Sequence, residues 1–101
     1  MTTFEPDYAR VERDPRAAGV FWMFEAHETR PFGHLEVAVL DPVRWGVKVM
    51  LARDDLAAED VVPIVARALI QVMDCKADVV EVFVASSGTT HQLVNVGSRF
   101  V

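Results

Sequence analysis

The chain has 101 residues, of which 51% are hydrophobic, and a formal net charge of -5 at pH 7. This length allows one domain with one modest core, and no apolar run approaches the roughly 18 residues that a membrane span requires. The acidic balance, together with the scatter of the ten basic residues along the chain, disfavours nucleic acid as a partner.

Residues 1–19 differ in composition from the rest of the chain. They are rich in charged residues, contain two prolines and end at Gly19. We predict an N-terminal arm over 1–19, with one helical turn around Asp7–Arg13, followed by a single domain over 20–101.

Three predicted strands follow the arm, and antiparallel pairing aligns their apolar residues. Their ranges are Val20–Ala26, His34–Leu40 and Arg44–Leu51. The expected register places Trp22 opposite Val39 in the first pair, and the same Val39 opposite Trp45 in the second. One face of the sheet is then wholly apolar, and the alternation of side chains along a strand fixes this register.

The apolar period changes from that of a strand to that of a helix at Val61. From there, apolar residues recur at helical spacing, at Val61, Val65, Ala68, Leu69 and Val72. Two helix starts are compatible with the sequence: Asp60 is the N-cap, or the helix begins near Asp55 and is kinked at Pro63.

The last two predicted strands form a hairpin. They are Val79–Ala85 and His91–Phe100, joined by a turn centred on Gly88. In this hairpin Val82 lies opposite Val94, again on an apolar face. The element order β-β-β-α-β-β predicts an α+β fold, with one mostly antiparallel sheet and one helix packed on one of its faces.

The face of the sheet away from the helix is the first candidate site, a protein-binding surface. A single helix does not cover both faces of such a sheet, so this face meets solvent, the arm over 1–19, a second copy or another partner. The expected contacts are apolar side chains with a charged border: Phe21, Met23, Leu40, Phe83 and Leu93, bordered by Glu25, Glu36 and Lys48.

A polar group at one end of the same face is the second candidate site. The expected register places Glu25 opposite Glu36 and brings two imidazoles beside them, so that the group is Glu25, His27, His34 and Glu36. Such a set could form a catalytic acid–base pair, or bind a divalent metal through His27 and His34. A solvated polar rim gives the same pattern, and we predict neither a metal nor a cofactor.

These observations favour a small acidic binding protein that forms a homodimer, docks onto another protein and catalyses no reaction. Accessory proteins, inhibitors and immunity proteins have this character. The alternative is a small enzyme or a ligand-binding protein that uses the glutamate and histidine group. The single cysteine, Cys75, excludes an intrachain disulfide, and the polar N-terminus does not resemble a signal peptide, so we expect a cytoplasmic protein.

Overall fold

The computed structural model describes residues 4–101, and in this range it holds one mixed sheet and one α-helix. The strands lie side by side in chain order, and each pair is antiparallel except β4 and β5, which are parallel. The elements are a 3-10 turn at Pro6–Tyr8, β1 (Arg10–Arg13), β2 (Val20–Phe24), β3 (Gly33–Asp41), β4 (Arg44–Leu51), α1 (Ala58–Gln71), β5 (Val79–Val84) and β6 (Thr89–Val94). The predicted α+β class is confirmed.

The segment before residue 20 adds a strand that the sequence did not reveal. Of the helical turn expected around Asp7–Arg13, only the start is helical, in the 3-10 turn at Pro6–Tyr8, whereas Arg10–Arg13 forms β1 and pairs with β2 at the edge of the sheet. The preceding 3-10 turn lies against α1, where the Arg67 guanidinium donates hydrogen bonds to two of its backbone carbonyl oxygens. Phe4 packs edge-on against the buried Phe32, with ring centroids 5.1 Å apart. Residues 4–13 therefore lie on the helix side or in the sheet itself.

The predicted register between β2 and β3 is wrong. Trp22 lies opposite His34 rather than Val39. This displacement is an odd number of residues, so the two faces of β2 are exchanged and Met23 points into the core. Both faces of β2 are apolar, so the hydrophobic pattern alone could not select one. The connection to β3 also holds the buried Phe32, whose backbone N–H donates to the Met23 carbonyl oxygen at 2.9 Å.

The predicted register between β3 and β4 is confirmed as far as Val39, with Val39 opposite Trp45 and Val37 opposite Val47. It then shifts by one residue, so that Asp41 rather than Leu40 lies opposite Arg44. The connection at Pro42 and Val43 is short, so a register slip has little room. Along most of this pair, apolar and polar side chains alternate, so that only one of its faces is apolar.

The predicted register between β5 and β6 is wrong for a different reason. Val82 lies opposite His91 rather than Val94. Gly88 does not occupy the centre of the turn but its last position, where its φ of 67° favours glycine over residues with a side chain. Its N–H donates to the Val84 carbonyl oxygen at 2.9 Å. The strand after the turn therefore begins earlier than expected and shows its other face to the core.

The end of the predicted fifth strand folds back on itself. β6 ends at Val94, and the chain reverses at Gly97 and Ser98, which both have positive φ angles. Val94 and Val101 then exchange two backbone hydrogen bonds of 3.0 and 3.1 Å. The last residues thus cover one end of the outer edge of β6.

The helix α1 packs its apolar side on the sheet. Its start, at Ala58, lies between the two predicted positions. The Asp60 carboxylate accepts a hydrogen bond from the Ala57 backbone N–H at 3.2 Å, which satisfies one of the free donors there. Five of its side chains are buried against the sheet, namely Val61, Ile64, Val65, Ala68 and Leu69. Over residues 4–101, no helix has the length and apolarity needed to cross a membrane.

Candidate functional site

The sheet face opposite α1 is the candidate functional surface, and we call it the open face. Among residues 4–101, no helix or strand packs on it. Its large apolar side chains include Leu40, Met50 and Phe83, with exposed fractions of 47%, 37% and 39%. Apolar side chains of this size on one uncovered face are typical of an interaction site.

A groove crosses the centre of the open face. Its floor is the cross-strand pair Ala38 and Gly46, the smallest side chains on the face. A Cβ atom added at Gly46 would lie 3.4 Å from the Leu40 side chain, which forms one wall. Phe83 stands on the other side, and the groove has a volume of about 490 Å³. A cavity of this volume accommodates one or two large apolar side chains.

Charged side chains of both signs surround the groove. Glu36 and Lys48 are cross-strand neighbours, and Arg44 lies 3.7 Å from Glu81 and 3.1 Å from Asp41. Glu36, Glu81 and Lys48 also line the groove itself. These charges select the orientation of a bound ligand, since they favour one whose own charges alternate around an apolar centre.

The structure divides the predicted contact residues into two groups. It places Leu40 and Phe83 at the groove. The expected placement of the other three apolar residues on this face is wrong, because Phe21, Met23 and Leu93 are only 2%, 0% and 6% exposed in the core. The misplacement of Phe21 and Met23 follows from the odd register shift of β2, and that of Leu93 from the odd shift of β6, since an odd shift moves a residue from one face to the other.

The charged residues of the predicted border are also divided. Glu36 and Lys48 lie opposite each other as expected, whereas Glu25 lies beyond the end of β2. There its carboxylate pairs with the Arg53 guanidinium, which also binds Asp55 at 2.5 Å. The hydrogen bonds that the Arg53 guanidinium donates to the Asp55 carboxylate raise the pKa of Arg53 and lower the pKa of Asp55. Glu25 thus belongs to a separate ion-pair cluster.

The predicted glutamate and histidine group does not assemble. His27 is exposed in the connection after β2. His34 Nε2 lies 3.4 Å from Glu36 Oε1, and the imidazole packs on Trp22 with ring centroids 4.9 Å apart. Within the described part of the chain, no three histidine, cysteine or acidic residues are arranged to hold a metal. What remains of the predicted group is the His34–Glu36 pair.

The groove floor is the feature that sequence reasoning missed. A register with Val39 opposite Trp45 also places Ala38 opposite Gly46. Two small residues side by side in a strand pair leave a gap in the surface of a sheet. Phe83 was placed on this face, but its alignment with Lys48 depends on the parallel β4–β5 pairing. Because α1 lies between β4 and β5 in the chain, no local sequence pattern specifies that these two strands pair.

Trp22, at the margin of the open face, is hydrogen-bonded to the Asp14 carboxylate. Its indole Nε1 donates to Asp14 Oδ2 at 2.9 Å. This hydrogen bond, aided by the Arg16 backbone N–H, lowers the pKa of Asp14 below its ordinary value of 3.8. Because the folded pKa is the lower one, the stabilisation is complete above the unfolded value and is lost as the pH falls through the folded value.

We therefore expect a change in Trp22 fluorescence, on acidification, with a midpoint below pH 3.8. The matched variant Asp14→Asn should lack this transition, since its side chain does not titrate. Trp45 contributes equally to both proteins. Far-UV circular dichroism, recorded in the same titration, distinguishes the local change from unfolding, and the same transition in both proteins would contradict the assignment.

Cys75, the single cysteine, is buried, and this burial raises the pKa of its thiol. A raised pKa keeps the sulfur protonated near neutral pH, so the side chain acts as a small apolar group.

Comparisons with known proteins bear on the fold. No family model matches the chain, and no curated protein matches its sequence. Among solved structures, it is similar to the N-terminal domain of a ribosomal-protein-alanine acetyltransferase from Clostridium acetobutylicum ATCC 824, with a TM-score of 0.59 and 9% identity. The match covers 80% of this chain and 64%, less than two thirds, of the other. At this identity, the likeness shows a shared fold alone.

Proposed function

We propose that this protein is a small, non-enzymatic binding protein that docks another protein on its open face and acts as a homodimer in the cytoplasm. Accessory, inhibitor and immunity-type proteins work in this way. The observation that supports the proposal is the groove between Leu40 and Phe83, on a sheet face that no described element covers.

An apolar groove of this kind favours a protein partner. Removing the exposed parts of Leu40 and Phe83 from water stabilises a complex, at about 25 cal/mol per Å² of apolar surface. The Ala38–Gly46 floor lets a partner side chain approach the sheet closely, and a pocket filled by one large side chain is the usual centre of an interface.

The charges around the groove indicate the chemistry of the partner. The protein is acidic overall, with a net charge of -5, and Glu36 and Glu81 both face the groove. A partner segment that presents a large apolar side chain next to a basic one fits this arrangement. Lys48 would be opposed by an acidic residue of the partner, which selects one orientation of the segment.

An anionic ligand is disfavoured at the other prominent feature, the N-terminus of α1. Four acidic residues lie on or just before its first turn: Asp54, Asp55, Glu59 and Asp60. Carboxylates there interact favourably with the helix dipole and occupy the place of an external anion.

The test uses a photo-crosslinking amino acid placed at Phe83 and, as a control, at Tyr8. Tyr8 is 66% exposed on the helix side of the molecule. A partner captured at Phe83 but not at Tyr8 is identified by mass spectrometry, purified, and titrated against the wild type and the variants Phe83→Asp and Tyr8→Asp.

We expect Phe83→Asp to weaken binding at least about tenfold, which is 1.4 kcal/mol, while Tyr8→Asp binds as the wild type does. A buried aspartate would leave an unpaired charge in the interface. Equal crosslinking at both positions, or equal affinity of both variants, would overturn the proposal.

A further inference from the structure

The two edges of the sheet differ sharply in their side chains. β1, with the sequence RVER, has three charged residues in four, whereas β6, with the sequence TTHQLV, has no Lys, Arg, Asp, Glu or Pro. Proteins commonly use charges and prolines to prevent an edge strand from pairing with another chain. β6 carries neither device, and its two threonines are β-branched residues that favour strand pairing.

The backbone of β6 has free hydrogen-bonding groups along part of this edge. In an antiparallel strand, the N–H and C=O of one residue point to the same side, and successive residues alternate. Val94 points outward, since it exchanges its bonds with Val101. Thr90 and Gln92 must then point outward too, and within residues 4–101 neither has a backbone partner on that side.

The free part of the edge is bounded on both sides. It begins after Gly88, whose N–H is already bonded to the Val84 carbonyl, and it ends at Val94, which Val101 covers. His91 is the middle residue of this stretch. A second copy running antiparallel therefore presents a free edge of the same length with the same midpoint.

One register uses these groups best. With His91 opposite His91 of a second copy, Thr90 of each copy lies opposite Gln92 of the other, and each such pair exchanges two hydrogen bonds. A register with Gln92 opposite itself would bring Thr90 against the occupied Val94. A register with Thr90 opposite itself would bring Gln92 against Gly88, whose donor is also occupied.

We propose that the outer edge of β6 is a self-association site, at which two copies pair β6 with β6 antiparallel about His91. The pairing is isologous, so it closes at a dimer. It supplies the homodimer of the proposed function but does not depend on docking at the open face. It also continues the sheet from one copy into the other, which places the two grooves, each lined in part by Thr90, on either side of the twofold axis.

The first test replaces Gln92 by proline. The change removes an N–H that faces outward, so the pairing of β6 with β5 through His91 and Leu93 is retained. By symmetry it removes one hydrogen bond from each pair of the dimer. Gln92→Ala, which keeps the N–H, is the matched control. Sedimentation velocity over a range of concentrations measures the dimer, and circular dichroism measures the fold.

The second test does not depend on how proline affects folding. Residues opposite each other between hydrogen bonds have Cα atoms about 4.5 Å apart, which a disulfide can span. Under oxidation, His91→Cys should form a covalent dimer in high yield. Thr89→Cys, on the same face but away from the axis, should not.

We expect the wild type, Gln92→Ala and Phe83→Asp to be dimers, and Gln92→Pro to dissociate at least about tenfold more readily. A monomeric wild type, equal dimerisation of Gln92→Pro and Gln92→Ala, or equal crosslinking of the two cysteine variants would overturn the proposal. Loss of the dimer in Phe83→Asp with retention in Gln92→Pro would assign self-association to the open face instead. If Phe83→Asp remains a dimer but no longer binds the partner, docking at the open face is supported independently of the dimer.

Discussion

Replacing Met23 by alanine is expected to lower the free energy of unfolding by about 2–5 kcal/mol. The Met23 side chain is 0% exposed, and it packs among the buried residues between the sheet and α1. Truncation removes apolar burial and leaves a cavity that a close-packed core fills only in part. Urea denaturation, followed by circular dichroism, measures the change from the midpoint at constant slope.

Met50 offers a control of the same residue type on the opposite face. It is 37% exposed on the open face, opposite His34, so Met50→Ala should cost less than about 1 kcal/mol. The comparison also tests the β2 register. In the register predicted from the sequence, Met23 would lie on the open face, and the two variants would then have similar, small effects.

Replacing Gly33 by alanine is expected to destabilise the protein by about 1–3 kcal/mol. Gly33 is buried in β3, and an added Cβ atom would lie 2.5 Å from the backbone carbonyl oxygen of Met50 and 3.2 Å from the Met23 side chain. A backbone atom on the neighbouring strand cannot move away alone, so the β3–β4 pair must separate locally. Thermal and urea unfolding both report this cost.

Gly46, on the neighbouring strand, provides the contrast. Its added Cβ atom would meet only the Leu40 side chain at 3.4 Å, an ordinary contact distance. Because glycine inside a strand carries an entropic cost of about 0.5–1 kcal/mol relative to alanine, Gly46→Ala should be neutral or slightly stabilising. Equal losses in the two variants would contradict the close approach at Gly33.

The accuracy of the sequence prediction follows the length and chemistry of the connections. The β3–β4 register was correct as far as Val39 because the turn is short and only one face of the pair is apolar along most of its length. The β2–β3 register failed because β2 is apolar on both faces and its connection contains Phe32, a core residue outside any strand. β1 was missed because an edge strand of four residues, with Val11 as its one apolar side chain, has no recognisable period.

The candidate surface was predicted in outline for the same reasons. Glu36 and Lys48 lie in the part of the β3–β4 pair whose register was correct, and they are on the open face. Leu40 lies at the register shift after Val39 and also lines the groove. Phe21, Met23 and Leu93 lie in strands whose registers were wrong by an odd number of residues. The groove itself joins β3 and β4 to Phe83 through a parallel pairing, and a long-range pairing of this kind leaves no local trace in the sequence.

The charges of β1 limit how large an assembly this sheet can build. A sheet with two pairable edges adds copies at both ends and grows into a fibre, the route by which edge strands cause aggregation. Here Arg10, Glu12 and Arg13 occupy one edge, so a copy that pairs through β6 presents only charged edges to the next. Under the proposed β6 pairing, growth would therefore terminate after a single association step, and concentration would change the amount of the dimer but not its size.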